Sequence, residues 1–174
     1  MPHYTVNDLY KNKIRIIQAS PKHTGSTLLT NILYGLFTPN KNVVFIKKSN
    51  ISTHLVFKTH NLNFDYFPKR FPEYKFFYVC SERDSNKINS RFYGRKNVLV
   101  INYDELVNRP VEEIVKTVYD KLINMFPFEA EMNIETSVNR VNKMNNRYEE
   151  IKHRPFTFID YFYHLHGSHK NRSK

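Results

Sequence analysis

Five short apolar, β-branched or aromatic runs punctuate the chain: Ile14–Ala19, Val43–Ile46, His54–Lys58, Phe76–Cys80 and Val98–Asn102. Each has the length of a strand, and several are apolar almost throughout, the pattern of strands buried on both faces. Between them, helices are predicted over Ser26–Phe37, Asp84–Phe92 and Pro110–Met125. In the last, Ile114, Val115, Val118, Leu122 and Ile123 recur at helical spacing. Pro110 suits its first turn, and Glu112 and Glu113 lie near its positive end. A more polar helix is expected over Glu135–Lys152. Strands alternating with helices predict an α/β domain, a parallel β-sheet flanked by helices. One domain spans residues 1–174, with 1–13 and 168–174 expected as flexible ends. Ligands of such sheets bind beyond the carboxyl ends of the strands. The loops after Ala19, Lys58, Cys80 and Asn102 therefore share one functional rim.

Composition narrows the class. With 174 residues, 40% hydrophobic and 25% charged, the chain can bury a core and does not read as disordered. No apolar run reaches the roughly 18–20 residues that span a bilayer. The opening MPHYTVNDLYKNK has no signal-peptide core, so a cytoplasmic protein is expected. The single cysteine, Cys80, excludes an internal disulfide and a cysteine-built metal site, and its apolar run marks it as a buried structural thiol. A net charge of +11 favours anionic partners: nucleotides, sulfated or acidic substrates, nucleic acid or anionic lipid. The cations are scattered, and no block is long enough to read as a nucleic-acid tail.

Three segments carry candidate chemistry. The first is the loop Ser20-Pro21-Lys22-His23-Thr24-Gly25-Ser26-Thr27, between a predicted strand and a predicted helix. Gly25 lets backbone approach an anion, Ser26 and Thr27 offer hydroxyls, Lys22 adds charge, and the free N–H groups of the helix start face the same spot. The loop has the length of a P-loop but lacks its GKS/T lysine, since Ser26 stands there. The second is Phe57-Lys58-Thr59-His60, where Lys58 and His60, two apart on an extended segment, project to one side. A histidine can take a proton from an attacking hydroxyl, and a lysine can stabilise charge on a departing oxygen. The third runs from Tyr78 through Arg83-Asp84 to Ser90, pairing a guanidinium fork with a hydroxyl; its bland reading is a surface pair of Arg83 with Glu82 or Asp84.

Together these segments resemble the sulfotransferases that use 3′-phosphoadenosine 5′-phosphosulfate (PAPS). The family's 5′-phosphosulfate loop, PKSGTT or PRSGSTLL, is similar to Pro21-Lys22-His23-Thr24-Gly25-Ser26-Thr27-Leu28-Leu29. Its KTHLP strand end resembles Lys58-Thr59-His60-Asn61-Leu62. Its YVxRNPxDxxxS segment looks like Tyr78-Val79 through Arg83-Asp84 to Ser90, and a later YEDLxxxP resembles Tyr103-Asp104-Glu105-Leu106 with Pro110. The likeness covers about residues 14–125, in family order. It departs in three places. One extra residue lies between Lys22 and Gly25, so either Lys22 or His23 fills the cationic position. Ser81 stands where a gapless match puts the arginine, and Arg83 follows two residues later. The family's RKG loop has no copy, its place open to Gly167, Ser168, Lys170 and Arg172 or to a plain basic tail.

The resemblance implies in-line sulfuryl transfer from PAPS to a hydroxyl or amine, with no metal required. It implies His60 as general base, with Lys58 and Lys22 stabilising the sulfuryl group and the bridging oxygen. Lys22, His23, Thr24, Gly25, Ser26 and Thr27 would hold the 5′-phosphate, and Arg83 and Ser90 the 3′-phosphate. Two other classes stay in view: a P-loop nucleotide or small-molecule kinase, and a non-catalytic module binding nucleotide or nucleic acid. The acceptor, whether carbohydrate, peptide or small molecule, is not specified, though the charge tilts towards an anionic one. Asp104 and Glu105 read as residues that cap or brace a helix.

Overall fold

A computed structural model of the chain describes residues 1–38 and 43–166. In chain order the elements are β1 (His3–Tyr4), α1 (Val6–Lys11), β2 (Ile14–Ala19), α2 (Ser26–Phe37), β3 (Val56–Thr59), α3 (Tyr66–Arg70), β4 (Lys75–Glu82), β5 (Val98–Asn102), α4 (Val111–Met125), β6 (Glu129–Ala130) and α5 (Ile134–Glu150). Single-turn or short 3₁₀ segments lie at Ser90–Phe92, Tyr103–Glu105 and Phe158–Tyr163. The four longer strands form one parallel sheet in the order β3-β2-β4-β5. This is the expected α/β architecture, a parallel sheet with flanking helices.

The period-two alternation of strand side chains divides the core. Ile14 and Ile16 of β2, with Phe77 and Val79 of β4, pack against Leu29, Leu33, Val118 and Leu122 of the helices. Their neighbours Ile17, Ala19, Tyr78 and Cys80 face the other way, into a smaller core with Phe64, Phe67 and Phe92. Central strands covered on both faces explain why β2 is buried at all six positions. The Phe64 ring stacks on Tyr78 with centroids 4.4 Å apart, and twelve of the 26 aromatic residues are buried in the core.

Helices α2 and α5 approach closely because Gly35 has no side chain. A Cβ there would lie 2.3 Å from the Ser137 Cα. Ser137 Oγ in turn donates to the Ile32 carbonyl at 2.9 Å, so the contact is hydrogen-bonded as well as packed. Past α5 the chain returns as a strap, Phe158–Tyr163, fastened by one buried carboxylate. Asp160, fully buried, accepts from Arg154 at 2.8 and 3.0 Å, from Arg147 at 3.1 Å and from the Thr157 N–H at 2.7 Å. The guanidinium of Arg154 and then the Thr157 and Arg147 bonds hold the Asp160 carboxyl well below the usual carboxylate range, against the opposing effect of burial.

The structure corrects four expectations. Val43–Ile46 is not a strand: the Lys58 N–H reaches the Val44 carbonyl and Phe45 bridges Lys58, but a turn beginning at Lys47 ends the pairing there. Asp84–Phe92 is not a helix. Arg83 and Asn86 close a tight turn, Glu82 accepts from the Ile88 N–H, and only Ser90–Phe92 coils, capped by Asn89. Pro110 is the N-cap of α4 rather than a member of its first turn. Residues 1–13, expected as a loose end, carry β1 and α1: Thr5 and Asp8 form a capping box, Leu9 is buried, and β1 pairs in parallel with β6. The expected flexible end at 168–174 lies outside the described residues. Among the described residues no helix is long and apolar enough to cross a membrane.

Two predictions follow from the packing. Gly35→Ala adds helix propensity worth about 1 kcal/mol but forces the α2–α5 backbones apart, for a net loss of about 2 kcal/mol in urea unfolding; a stabilised variant would disprove the contact. For Asp160 the folded pKa is depressed, so its stabilisation is present above the unfolded carboxylate value of ~3.9 and is lost as pH falls below it. Asp160→Asn should cost about 3 kcal/mol at pH 7 and flatten the decline in urea midpoint that the wild type shows between about pH 4 and pH 2. An equally steep decline in the variant would assign the acid sensitivity elsewhere.

Candidate functional site

The site begins where β2 and β4 part. The chain leaving β2 turns into α2 on the side of the larger core, while β4 leads towards β5 across the other side. Neighbouring parallel strands whose connections diverge leave a crevice beyond their carboxyl ends. A buried hydroxyl network floors it. The Ser20 and Ser81 hydroxyls lie 3.0 Å apart, and Ser20 Oγ also accepts from the Ser81 N–H at 2.8 Å and from the Gln18 side-chain amide. Thr30 on α2 donates to Gln18 Oε1, at 3.0 Å. Ser81 also meets Thr24 Oγ1, which donates to the Pro21 carbonyl at 2.7 Å.

Above this floor the loop turns sharply. His23 has φ 63° and Gly25 has φ 82°, both left-handed. Gly25 is tolerant of that geometry, and a Cβ there would meet the Tyr103 ring at 3.3 Å. α2 then starts with no side-chain cap and no acidic residue in its first turn, so its leading N–H groups and positive dipole end face the loop. Buried Lys58, from β3, brings its Nζ to 3.4 Å from Ser26 Oγ. His60 lies one pleat further on, exposed. Burial, then the positive charges of Lys58 and Lys22, push its pKa below the ordinary histidine value. The Lys22 carbonyl is fastened by the Asn86 side chain at 2.9 Å. Lys22 and His23 are both exposed.

Arg83 stands on the other flank, its guanidinium carbon 3.5 Å from the centroid of Tyr103. The tyrosine ring thus separates Arg83 from Gly25. Arg83, Asp84, Asn102, Tyr103 and Asp104 line a cleft of about 170 Å³. The Arg83 Nε is buried without a hydrogen-bond partner. Its carboxylate neighbours are engaged elsewhere: Asp84 pairs with Lys87 at 3.3 Å, and Glu82 accepts from Tyr93. The surface pairing of Arg83 with Glu82 or Asp84 is therefore not formed. Ser81, where a gapless match puts arginine, is fully buried in the hydroxyl network; Arg83, two residues on, keeps the same face of the strand and emerges from it.

The structure thus brings together Lys22, Gly25, Ser26, Thr27, Lys58 and His60, with Arg83 across Tyr103. Two candidates fare differently. Thr24 is fully buried and its hydroxyl is used inside the loop, so its side chain braces the loop and only its backbone can face a ligand. Ser90 is exposed, and without the expected helix no described hydrogen bond or ring contact links it to Arg83. Gly167, Ser168, Lys170 and Arg172 lie outside the described residues. Glu105 braces α4 through Lys121 at 3.2 Å, and Asn102 caps the turn at Asp104, structural roles for that segment.

Sequence reasoning missed Tyr103 as the platform for Arg83, and the Gln18–Ser20–Ser81–Thr30 floor. A polar residue at each of Gln18, Ser20 and Ser81, in or beside strands buried on both faces, was the available signal. No model of a known protein family matches the chain, and neither a curated protein nor a solved structure matches it.

Proposed function

We propose that this protein transfers a sulfuryl group from PAPS to an acceptor hydroxyl. The observation that carries the reading is the meeting of Lys58 with the uncapped start of α2 at Ser26, two residues before His60, whose pKa is held down by burial and then by Lys58 and Lys22. A cationic cradle for a diester-like anion thus adjoins a side chain that is neutral, and able to accept a proton, at pH 7. An ordinary phosphate site needs the first feature and has no use for the second.

The residues fit the nucleotide. Helix N–H groups at Gly25–Thr27, with the Ser26 and Thr27 hydroxyls, suit the 5′-phosphate. Lys22 or His23, both exposed on the loop, suits the cationic position. Arg83, with an orphaned Nε and no carboxylate partner, suits the 3′-phosphate, as the arginine of a divergent motif. Its cleft is also lined by Asp84 and Asp104, whose charge opposes an anion there, with Asp84 offset by Lys87. When bound, PAPS would supply the activated sulfuryl group. His60 would take the acceptor's proton, and Lys58 and Lys22 would stabilise negative charge developing beside them. Positioning and charge account for the catalysis, as in phosphoryl transfer.

Three measurements test this. Calorimetry should show 3′-phosphoadenosine 5′-phosphate binding more tightly than ATP, with Arg83→Ala weakening it by roughly tenfold to a hundredfold. Preference for ATP would replace the reading with a kinase. His60→Ala should lower sulfate transfer by about 10²-fold or more while nucleotide affinity stays within about twofold. In the wild type, kcat/KM should fall only on an acid limb below the ordinary histidine pKa of ~6.5, since His60 is depressed and must be neutral to act. Unchanged turnover in the variant would remove His60 as the base.

A further inference from the structure

The strap Phe158–Tyr163 turns most of its rings to solvent rather than to the core. A 3₁₀ segment has three residues per turn, so residues three apart share a row. One row, Asp160 and Tyr163, faces inward: Asp160 is fully buried, and the Arg140 guanidinium lies over the Tyr163 ring. The other two rows are Phe158 with Tyr161 and Ile159 with Phe162, apolar or aromatic throughout. Phe158 is 74% exposed, Tyr161 57% and Ile159 43%. The rings form one patch. Phe158 meets Phe162 edge-on with centroids 5.2 Å apart, and Tyr161 stacks with Phe156 at 6.2 Å. They cannot turn inward without unfastening the strap. Asp160 ties it to Arg154 and Arg147, and Asn31 and Arg140 hold it by the carbonyls of Tyr163 and Phe162. Exposed apolar residues are ordinary when single, but a fixed, contiguous set marks a surface that is covered in use.

We propose that this strap docks on an anionic lipid surface, seating its rings among the headgroups. Three observations choose that occupant. The first is area. At ~150–250 Å² for an aromatic side chain, Phe158, Ile159 and Tyr161 leave roughly 350 Å² exposed, under half of the ~800 Å² per partner that a stable protein interface takes. A second copy would also bring another charge of +11 against the first. A bilayer needs no matched shape: binding grows with the apolar area inserted and with attraction between cations and anionic lipid. The second is charge. From Ile151 to Lys174 the sequence holds five lysines and arginines and one acid, Asp160, whose carboxylate is buried and engaged. The carboxylates just before it, Glu149 and Glu150, are paired with Lys152 and Arg154. Lys170, Arg172 and Lys174 follow the strap in sequence, and cations near such a surface add to the attraction. The third is the kind of side chain. Tyrosine, with an apolar ring and a polar tip, suits the boundary between headgroups and hydrocarbon. Ile159 has no ring face for a nucleic-acid base, and Phe158 lies edge-on to Phe162, so the patch is a poor stacking platform.

The test follows the full chain on vesicles of phosphatidylcholine, with and without about 30 mol% phosphatidylserine, at about 0.1 M salt. The wild type should cosediment with the anionic vesicles and bind them roughly tenfold or more tightly than the neutral ones, the difference shrinking as salt rises. Phe158→Ser combined with Ile159→Ser should weaken binding to the anionic vesicles by roughly tenfold, with the urea midpoint unchanged because both side chains are exposed. The chain has no tryptophan, so Phe158→Trp supplies a single indole reporter. That variant should keep its vesicle affinity, and its emission should move to the blue when anionic vesicles are added. No binding by the wild type, unchanged binding in the double variant, or an indole emission that stays at its position in water overturns the docking site. A dimer in sedimentation that the double variant abolishes also overturns it and assigns the rings to a second copy. Binding of polyuridylate that the double variant loses overturns it in favour of nucleic acid.

Discussion

The candidate site depends on one constraint: β2 and β4 are neighbours in a parallel sheet, yet the chain leaves them towards opposite faces. The gap this opens must be floored, because polar backbone at two strand ends cannot be left dry and unbonded. Ser20 and Ser81 meet that need with small hydroxyls that bond to each other, to the Ser81 N–H and to Gln18, and through Gln18 to Thr30 of α2. Larger side chains at these two places would fill the crevice. Aliphatic ones would orphan the Ser81 N–H. The loop between Ser20 and Gly25 then has a fixed base to turn on, and Thr24 completes the attachment from the loop side.

On that base the sheet delivers charge from three directions. β3 brings Lys58, the loop brings Lys22, and β4 brings Arg83. Repulsion among cations is unfavourable for folding, and burying Lys58 to 2% exposure adds desolvation. Such conflict between local energetics and fold is the usual mark of a site kept for a ligand that reverses it. The bound anion would turn repulsion into attraction at each of the three positions. Burial and then Lys58 and Lys22 depress His60, so a bound anion that offsets those charges would make the imidazole more easily protonated. In the proposed reaction, proton acceptance and anion binding would be linked by ordinary Coulomb interaction.

How much of this could be read beforehand follows from which forces are local. Ile14–Ala19 and Val98–Asn102 coincide with β2 and β5 because short runs rich in β-branched and aliphatic residues favour strands, whether central and buried throughout like β2 or at the sheet edge and half-buried like β5. Ser26–Phe37 coincides with α2, where Gly25 at the N-cap and the apolar run that follows agree. The segment 84–92 failed because long-range bonds decided it: Glu82 captures the Ile88 N–H, and Asn86 is drawn to the Lys22 carbonyl. α1 was legible in principle, since Thr5 and Asp8 have capping-box spacing, but its short length weakened the periodic signal. Site residues with their own charge, Lys22, Lys58, His60 and Arg83, stood out in the sequence. Tyr103 did not, because an aromatic residue after a strand is indistinguishable from core until the guanidinium is seen lying on it.

The first turn of α2 links the anion loop to the strap. Asn31 donates to the Thr27 carbonyl at 2.8 Å, inside the turn that faces the loop, and to the Tyr163 carbonyl in the strap. One amide thus ties the anion end of α2 to the segment that sets His164 beside Phe45. Arg140 holds the other side of that amide, its guanidinium carbon 5.2 Å from the Tyr34 ring and 5.1 Å from that of Tyr163. Tyr34 donates to the Val56 carbonyl and accepts from the Val44 N–H, so the chain of contacts returns to the segment carrying Phe45. A ring of buried polar contacts therefore runs from the loop helix through the strap to β3 and the Phe45 segment. Each member is hydrogen-bonded, which is the condition under which buried polar groups rigidify a structure rather than weaken it. In the proposed transfer that rigidity would serve alignment, because in-line displacement needs the reacting atoms held about 3 Å apart and aligned, and Asn31 would join the loop end of α2 to the strap for that purpose.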